Sequence, residues 1–308
     1  MIWFILIFLT AVATAPFVAE ALRPNMDAKA RAGAPGDFVQ LSRGLTHYQW
    51  RGKARGPVAV CVHGLTTPSY VWGPIADALA AMGFRVLTYD LYGRGYSDRP
   101  RGPQDAAFFI TQLEELLESQ GVDEDVTLLG YSMGGSIVTA FAAYAPHRVR
   151  KLVLLAPGGL GHDLGPFARL LTDYGWLSKW LMLAAYGRSH RAVTEAERNL
   201  PASVEGIVDL QQAELDWRGF RRSVQTAMRD MLHGDLIEEH HEIAAAGVPV
   251  LAIWGRDDDV IPITGLGKLA QWNRAARQEV IEGAGHGLTY THTPEVLHAM
   301  HDLMDDRL

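Results

Sequence analysis

The sequence predicts an α/β fold: a mostly parallel central sheet flanked by helices, with a helical cap inserted after the sixth strand. Two observations support this prediction. Short apolar runs alternate along the chain with amphipathic stretches, as expected where strands are joined by helical crossovers. The runs at 57–64 and 248–255 are apolar at almost every position, which is typical of strands buried on both faces of a parallel sheet.

Each predicted element follows from a local pattern. Strands are expected where apolar runs stop at Gly, Pro or polar residues, and the first of them has the pattern of an edge strand. They lie at 46–52, 57–64, 84–90, 125–132, 151–157, 248–255 and 277–283. Helices are expected where apolar residues recur every three or four positions before Gly or Pro. They lie at about 72–82, 104–120 and 134–145, and a last helix begins near Pro294.

The alternation stops between about residues 158 and 247, where Trp, Leu, Met and Arg are frequent and no convincing strand pattern occurs. We therefore expect a helical cap, at about 160–240, over the carboxyl edge of the sheet, where α/β proteins bind ligands. Its large aromatic residues either form a small core within the cap, or some of them line an apolar substrate pocket. These residues are Trp176, Trp180, Trp217 and Phe220.

The first 24 residues form a separate hydrophobic segment, and residues 25–308 are expected to form the folded domain. Residues 2–19 are apolar apart from two threonines, and about 20 helical residues span a bilayer. A cleaved signal peptide normally carries Lys or Arg before a shorter apolar region. We expect a membrane anchor; the alternatives are a signal that is cleaved on export and a soluble helix such as a substrate-entry lid. Arg23, Lys29 and Arg31 follow the segment, which favours a cytoplasmic domain.

Composition excludes some classes of function. The chain has 308 residues, of which 48% are hydrophobic and 20% charged, so it can form a core and is not disordered. The formal net charge is -7, and without a basic stripe we expect no nucleic-acid partner. The single cysteine, Cys61, cannot form an internal disulfide, and its apolar run VAVCVHG indicates a buried, inert thiol.

A serine stands between a predicted strand and a predicted helix, in the pattern Gly130-Tyr131-Ser132-Met133-Gly134. This is G-x-S-x-G, which marks a nucleophile in that context. The sharp turn leaves no room for side chains at the two glycines. Because a serine hydroxyl is a weak nucleophile, Ser132 requires a base, a group that orients the base, and N–H donors for the oxyanion. Met133, directly after the serine at the start of the helix, is expected to supply one such donor.

From about residue 38 to the C-terminus the chain resembles the α/β-hydrolase superfamily. The resemblance depends on five motifs that occur together in the family's order. Besides the serine turn, they are His63-Gly64-Leu65-Thr66, the D-x-x-G-x-G-x-S loop at 90–97, the acid loop at 254–262 and Gly283-Ala284-Gly285-His286. The resemblance implies that the Leu65 N–H is the second oxyanion donor. The loop at 90–97 is expected to be a structural turn, because the P-loop pattern is absent.

The general base comes last in this family, which follows the order serine, acid, histidine. His286 follows a predicted strand and lies between two glycines, so we expect its imidazole to be the base. His63 precedes the oxyanion donor, and a structural role is favoured there over proton transfer. His240 and His241 lie in the acidic stretch EEHHE, which we expect to be exposed. A metal site there is disfavoured because the ligand spacing is not convincing.

Three consecutive aspartates at 257–259, after the strand predicted at 248–255, can each supply the acid that orients the histidine. Asp163, after the strand predicted at 151–157, is a further candidate. The family pattern G-x-x-D-x-x-x-P, which ends at Pro262, implies that Asp258 is the acid. The expected catalytic triad is Ser132, Asp258 and His286.

These residues predict a serine hydrolase that cleaves carboxylic esters through an acyl-enzyme, with no cofactor and no metal. The apolar N-terminus and the Trp- and Leu-rich cap favour a lipid-like or otherwise apolar acyl substrate. Alternatives on the same triad are a carbon–carbon bond hydrolase of ring-cleavage products and an amidase. Epoxide hydrolases and haloalkane dehalogenases carry an aspartate in place of the serine, which argues against both. A non-catalytic binding protein is disfavoured because every triad position has a candidate.

Overall fold

The computed structural model describes residues 1–161 and 165–304. The strands are β1 (Asp37–Leu41), β2 (Gly44–Arg51), β3 (Val58–Val62), β4 (Arg85–Tyr89), β5 (Val126–Tyr131), β6 (Val149–Leu155), β7 (Val250–Gly255) and β8 (Arg277–Ile281). In this part of the chain they form one sheet in the order β1-β2-β4-β3-β5-β6-β7-β8. β2 pairs antiparallel with β1 and β4, and the remaining pairings are parallel. The predicted α/β fold with a mostly parallel sheet is confirmed.

Helices connect the strands and cover both faces of the sheet. They are α1 (Ile2–Ala21), α2 (Gly73–Ala81), α3 (Ala106–Ser119), α4 (Met133–Tyr144), α5 (Gly165–Thr172), α6 (Trp176–Ala184), α7 (Tyr186–Ala196), α8 (Ile207–Ala213), α9 (Phe220–Asp230), α10 (Ile237–Ala245), α11 (Gly265–Trp272), α12 (Leu288–Thr291) and α13 (Thr293–Met304). In α3 the sequence marks both ends. The Asp105 side chain accepts from the Phe108 N–H at 2.9 Å, and Gly121 follows the helix with φ of 64°.

The sheet separates two apolar cores. One contains Phe109 of α3 and Phe141 of α4, and the other contains Trp72 beside α2 and Val296 of α13. β5 and β7 are buried at every position, as their continuous apolar runs predict. Cys61 of β3 is fully buried, and burial raises the pKa of its thiol. The two cores hold the central strands rigidly, so the loops at their carboxyl ends meet in a fixed arrangement.

Helices α5 to α9 lie between β6 and β7, in the part of the chain predicted as a cap, and we call them the helical insertion. They have a small core of their own, which contains Met182, Leu215 and Phe220. Trp176 and Trp180 do not join it, because both contact α1. Of the aromatic residues considered in the sequence, Phe220 is therefore the one found in an insertion core.

α1 is apolar, and none of its residues is buried. By length and composition it is the one helix in the described chain that could cross a membrane. Its C-terminal half lies against the insertion: the Phe17 and Trp176 rings stack at 6.1 Å, and Trp180 Nε1 donates to Val12 O at 3.1 Å. At its end, Glu20 Oε1 accepts from a backbone N–H of the insertion at 2.6 Å. Every residue in the first half of α1 is exposed.

Three local expectations differ from the structure. The strand predicted at 46–52 was expected at the edge of the sheet, but it is β2 and pairs on both sides, with β1 and β4. β1 was not predicted, because a five-residue edge strand with a single buried position carries little apolar signal. The expectation that the EEHHE stretch is exposed is wrong for His240, whose side chain is 2% exposed. His240 lies on the face of α10 that packs against Trp272 of α11, with ring centroids 6.0 Å apart. Burial lowers its pKa to about 4, while His241 is exposed.

Candidate active site

Ser132 lies in the turn between β5 and α4, with φ of 54° and ψ of −120°. A non-glycine residue rarely adopts positive φ, and such strain persists only where the surroundings enforce it. Here the Ser132 N–H donates to Leu155 O of β6 at 2.9 Å, and Ser132 O accepts from the Gly135 N–H at 2.9 Å. These bonds hold the serine at the carboxyl edge of the sheet.

The two glycines of the motif are required by the tightness of this turn. A Cβ at Gly130 would lie 2.5 Å from Gly134 O, and a Cβ at Gly134 would lie 2.6 Å from His63 O. Both distances are too short for a real Cβ contact, and the neighbouring atoms are backbone. A side chain at either position would therefore displace the serine.

Three side chains from three loops form one hydrogen-bonded chain. Ser132 Oγ lies 3.0 Å from His286 Nε2, and His286 Nδ1 lies 2.9 Å from Asp258 Oδ2. Asp258 follows β7 and His286 follows β8, so parallel neighbours bring both to the same edge. With Nδ1–H donating to the carboxylate, the neutral imidazole has its lone pair on Nε2, where it can accept the serine proton. The structure thus brings together the three residues of the expected triad.

Asp258 is itself held in place. Its Oδ1 accepts from the backbone N–H groups two and three residues further on, at 2.8 and 2.7 Å, and the side chain is buried. Asp257 and Asp259 are exposed, and within the described chain neither is hydrogen bonded to His286. Asp163, the other candidate acid, lies outside the described residues.

The two expected oxyanion donors are backbone N–H groups next to the serine. A Cβ at Gly64 would lie 3.1 Å from Ser132 Cβ, so the loop that contains Leu65 passes beside the serine. Met133 is the first residue of α4, where N–H groups have no acceptor within the helix. Among residues 1–161 and 165–304, no acceptor is hydrogen bonded to the N–H of Leu65 or Met133. Both groups are therefore available to an oxyanion.

Arg94 supports the Leu65 loop from behind. Its side chain is fully buried, and Nε donates to Leu65 O at 2.9 Å. Nη1 donates to Tyr92 O and Gln104 Oε1, both at 2.8 Å, and Nη2 donates to Ser223 O of α9 at 3.3 Å. Burial lowers the pKa of Arg94 to about 9. One guanidinium thus connects the loop beside the serine to the insertion.

His63 has a structural arrangement. Its Nδ1 donates to Gly64 O at 2.8 Å, and its Nε2 accepts from the Leu91 N–H at 2.9 Å. Burial lowers its pKa to about 4, so the ring is neutral near neutral pH. Both ring nitrogens have partners, which leaves neither free for proton transfer.

The loop at 90–97 forms the structural turn expected from its sequence. Asp90 Oδ1 accepts from the Ser69 N–H at 2.9 Å, while Oδ2 accepts from His47 Nδ1 at 2.7 Å and the Tyr96 N–H at 2.9 Å. A Cβ at Gly95 would collide with the same carboxylate. The loop therefore braces the segment after β3.

A cavity of about 230 Å³ lies against Ser132 and His286. The insertion lines it with His190, Val193, Thr194, Glu197, Gln211 and Leu232. No tryptophan of the insertion lines this cavity, so the expectation that they form the pocket at the serine is not met. Trp176 and Trp180 lie against α1, and Trp217 lines a different cavity.

A chain of polar side chains crosses the cavity wall. Gln211 Nε2 donates to Thr67 Oγ1 at 3.0 Å and lies 3.5 Å from the Tyr290 hydroxyl. That hydroxyl donates to Glu197 Oε2 at 2.6 Å, and burial, followed by the Glu197 charge, raises the pKa of Tyr290. These four residues could not be predicted from the sequence, because they are far apart in the chain and belong to no motif. The one feature of the sequence that pointed to this part of the site was the predicted position of the insertion over the carboxyl edge of the sheet.

The formally charged side chains that line the cavity are acidic. Glu197 and Asp259 line it, and no Lys or Arg does so among the described residues. Burial lowers the pKa of His190, so its imidazole adds no positive charge near neutral pH. In the same part of the chain, no group of three or more His, Cys, Asp or Glu side chains could hold a metal ion. The cavity therefore suits neutral groups better than anions.

The fold and this hydrogen-bonded chain define the class of protein. Residues 57–293 match the family described as alpha/beta hydrolase fold, which is more than half of the chain. The protein belongs to this family of hydrolases.

Individual relatives differ in what they act on. The chain is 28% identical to 2-hydroxymuconate semialdehyde hydrolase of Pseudomonas putida over 252 residues, 78% of this chain and 84% of that protein. It is 25% identical to the pimeloyl-[acyl-carrier protein] methyl ester esterase of Aliivibrio salmonicida over 273 residues, 83% and 95% of the two chains. The crystal structure of a hydrolase from Pseudomonas aeruginosa superposes with a TM-score of 0.72 at 23% identity, covering 89% and 99%. The last likeness concerns the fold alone.

Proposed function

We propose that the protein hydrolyses carboxylic esters, with Ser132 as nucleophile, His286 as general base and Asp258 as the acid that orients it. The observation that carries this proposal is the continuous chain of hydrogen bonds, 3.0 Å from serine to histidine and 2.9 Å from histidine to aspartate. This arrangement activates a hydroxyl for attack on a carbonyl carbon.

The mechanism follows from the positions of these groups. His286 Nε2 takes the proton of Ser132 Oγ as the oxygen attacks the ester carbonyl, and the N–H groups of Leu65 and Met133 stabilise the oxyanion. The intermediate collapses as the imidazolium protonates the leaving alcohol, which gives an acyl-enzyme and a free alcohol. Water, deprotonated by the same imidazole, then attacks the acyl-enzyme. The products are a carboxylic acid and the regenerated serine.

The cavity favours a compact acyl group. Its volume of about 230 Å³ is below the range of roughly 300–1,000 Å³ that is usual for drug-sized ligands, and one wall is polar. The sequence expectation of a lipid-like substrate depended partly on a tryptophan-lined pocket. Because these tryptophans lie elsewhere, we favour esters of short, uncharged acids.

The acidic lining of the same cavity argues against the alternative function, a carbon–carbon bond hydrolase of ring-cleavage products. A dienoate product of ring cleavage carries a carboxylate, which needs a cationic partner or open water. Glu197 and Asp259 line the cavity, and no arginine or lysine of the described chain faces it. An uncharged ester meets no such repulsion.

Two assays on the full chain test this function. A fluorophosphonate probe should label Ser132 and fail to label the Ser132→Ala variant, while Ser136→Ala, a buried serine of α4, should label normally. A series of p-nitrophenyl esters from acetyl to palmitoyl should give the highest kcat/KM at butyryl or below, with palmitoyl at least about tenfold lower. Folded protein that is not labelled would contradict the triad. A preference for palmitoyl, or faster cleavage of a 2-hydroxy-6-oxo-dienoate than of any ester, would contradict the substrate class.

We further propose that α1 attaches the protein to a membrane, with the folded domain on the cytoplasmic side. Its apolar composition and the exposure of its first half support this attachment. The second half packs on the insertion, so the free part is shorter than the roughly 20 residues of a full span. Arg23, Lys29 and Arg31 follow α1, in agreement with the positive-inside tendency.

A further inference from the structure

A groove of about 410 Å³ lies where the chain leaving α1 meets the insertion. It shares no lining residue with the cavity at Ser132, and we call it the arginine groove. Five arginines line it together with one carboxylate, Asp98: Arg43, Arg99, Arg101, Arg218 and Arg222. The whole chain carries 35 acidic residues against 28 Lys and Arg, so this local excess of positive charge runs against the overall composition.

The nearby carboxylates do not neutralise the groove. Asp98 pairs with Arg31, which does not line it, and accepts from the Leu45 N–H at 2.7 Å. Glu20, at the end of α1, pairs with Arg23 at 3.1 Å. Glu214 lies 3.7 Å from Arg99 Nη2. In the described ranges, the other four groove arginines form no ion pair, so several guanidinium charges there are uncompensated.

Two of the five arginines are fixed, and two are free to adapt. Arg99 is only 6% exposed at its side chain, and its buried Nε has no acceptor in the described chain. Arg222 Nη2 donates to Arg99 O at 2.8 Å; burial, and then the charge of Arg101, lowers the pKa of Arg222. Arg101 and Arg218 are exposed at the edge. Crowded guanidinium groups of this kind are stabilised by an anion placed among them.

The groove lies directly at the end of α1. The Arg218 N–H donates to Pro24 O at 2.9 Å, and the Gly219 N–H donates to Glu20 Oε1 at 2.6 Å. Guanidinium groups match the oxygens of phosphate in pairs of parallel hydrogen bonds. We propose that the arginine groove binds a phosphate group, carried by a phospholipid headgroup or by a soluble phosphate compound.

Binding to the full chain in non-ionic detergent micelles tests this proposal. Two probes are titrated by calorimetry: inorganic phosphate, and an ether-linked phosphatidic acid, which has no ester bond to be cleaved. An ether-linked phosphatidylcholine of the same chain length is the reference lipid. We expect saturable binding of a phosphate probe, weakened about tenfold or more in Arg101→Gln/Arg218→Gln, since each arginine near an anionic surface contributes several-fold. The unliganded Tm checks that this pair is folded.

A matched pair of substitutions separates the effect of the groove from the effect of the overall charge of the protein. Arg55→Gln/Arg274→Gln removes the same two charges from exposed positions that do not line the groove, and it should bind within about twofold of the wild type. Binding of the lipid alone identifies a headgroup site, and equal binding of both probes identifies a soluble phosphate compound. No saturable binding of either probe, or equal weakening in both pairs, would overturn the proposal. Because neither probe is hydrolysed, failure of the ester assays would leave this result unaffected.

Discussion

The polarity of the catalytic cavity is set by a few side chains. Glu197 accepts from the Tyr290 hydroxyl at 2.6 Å, and Asp259 lines the same space. A neutral acyl group can enter without repulsion, whereas a substrate with a free carboxylate meets charge of its own sign. Substrate selection at the scale of residues is therefore electrostatic as well as steric.

Glu197→Gln is expected to relax this selection. The amide carbonyl can still accept from Tyr290, but the negative charge is gone. We expect kcat/KM for monomethyl glutarate to rise about tenfold relative to methyl butyrate, the order of magnitude of one nearby like charge in a partly solvated site. The measurement is a steady-state comparison of the two esters. Glu195→Gln is the control, since Glu195 is exposed, pairs with Arg198 at 2.6 Å and does not line the cavity. An equal gain in both variants would argue against this role of Glu197.

At the scale of elements, the buried Arg94 connects parts of the chain that act together. It donates to the carbonyl of Leu65, next to the serine, and to the carbonyl of Ser223 in α9. The position of the expected oxyanion donor therefore depends on a side chain that touches no substrate.

Arg94→Lys should separate this positioning role from simple stabilisation. A lysine keeps the charge but cannot donate along the same directions, so buried carbonyls lose their partners. We expect the free energy of unfolding to fall by about 2 kcal/mol and kcat to fall about tenfold, with a smaller change in KM. Arg148→Lys is the control, because Arg148 also donates to two backbone carbonyls, of Val122 and Asp123, but contacts no loop of the site. It should lose stability and keep kcat; the same kcat loss in both would refute a specific role for Arg94.

What the sequence could predict follows from how each element is encoded. The turn around Ser132 and the loops of Asp258 and His286 have fixed motifs, because parallel strands bring those loops to one edge with little freedom. The insertion has no such constraint: its helices pack through general apolar contacts, so Gln211 and Glu197 could not be placed in the cavity beforehand. β1 was missed for a different reason: its five residues carry almost no apolar pattern.

Removal of the free half of α1 should release the protein without harming catalysis. A chain that lacks residues 2–11 keeps Val12, Phe17 and Glu20, which contact the insertion, while every residue removed is exposed. We expect the full chain to sediment with membranes, and the shortened chain to stay in the supernatant with kcat unchanged. Sequencing of the N-terminus of the full chain shows whether it is intact. Retention of the shortened chain on membranes, or cleavage in the full chain, would contradict an anchor.

Over the whole molecule, buried neutral histidines link stability to pH. The folded pKa of His240 is about 4 against an ordinary value of 6.5, so the unfolded chain binds a proton over a range where the folded chain does not. Stability from this group is therefore complete above pH 6.5 and is lost as pH falls toward 4. His63 also has a folded pKa of about 4, so the stability that it contributes is likewise lost as the pH falls.

His240→Leu should reduce this dependence. Between pH 7 and pH 5 we expect the wild type to lose about 2 kcal/mol more unfolding free energy than the variant, from the proton linkage of one imidazole. Urea unfolding at the two pH values measures the difference. His147→Leu, at an exposed histidine in another part of the chain, should behave as the wild type. Identical pH dependence in wild type and His240→Leu would show that His240 does not titrate in this way.

The burial of Cys61 has a practical consequence for the whole molecule. It is the single cysteine of the chain. Cys61 belongs to β3 and is fully buried, and this burial raises the pKa of its thiol. A cysteine introduced at the surface, for example Trp176→Cys beside α1, will then be the one thiol that reacts rapidly with a maleimide dye. The depth of any chosen surface position relative to a bilayer can be followed by fluorescence quenching with the native cysteine left in place.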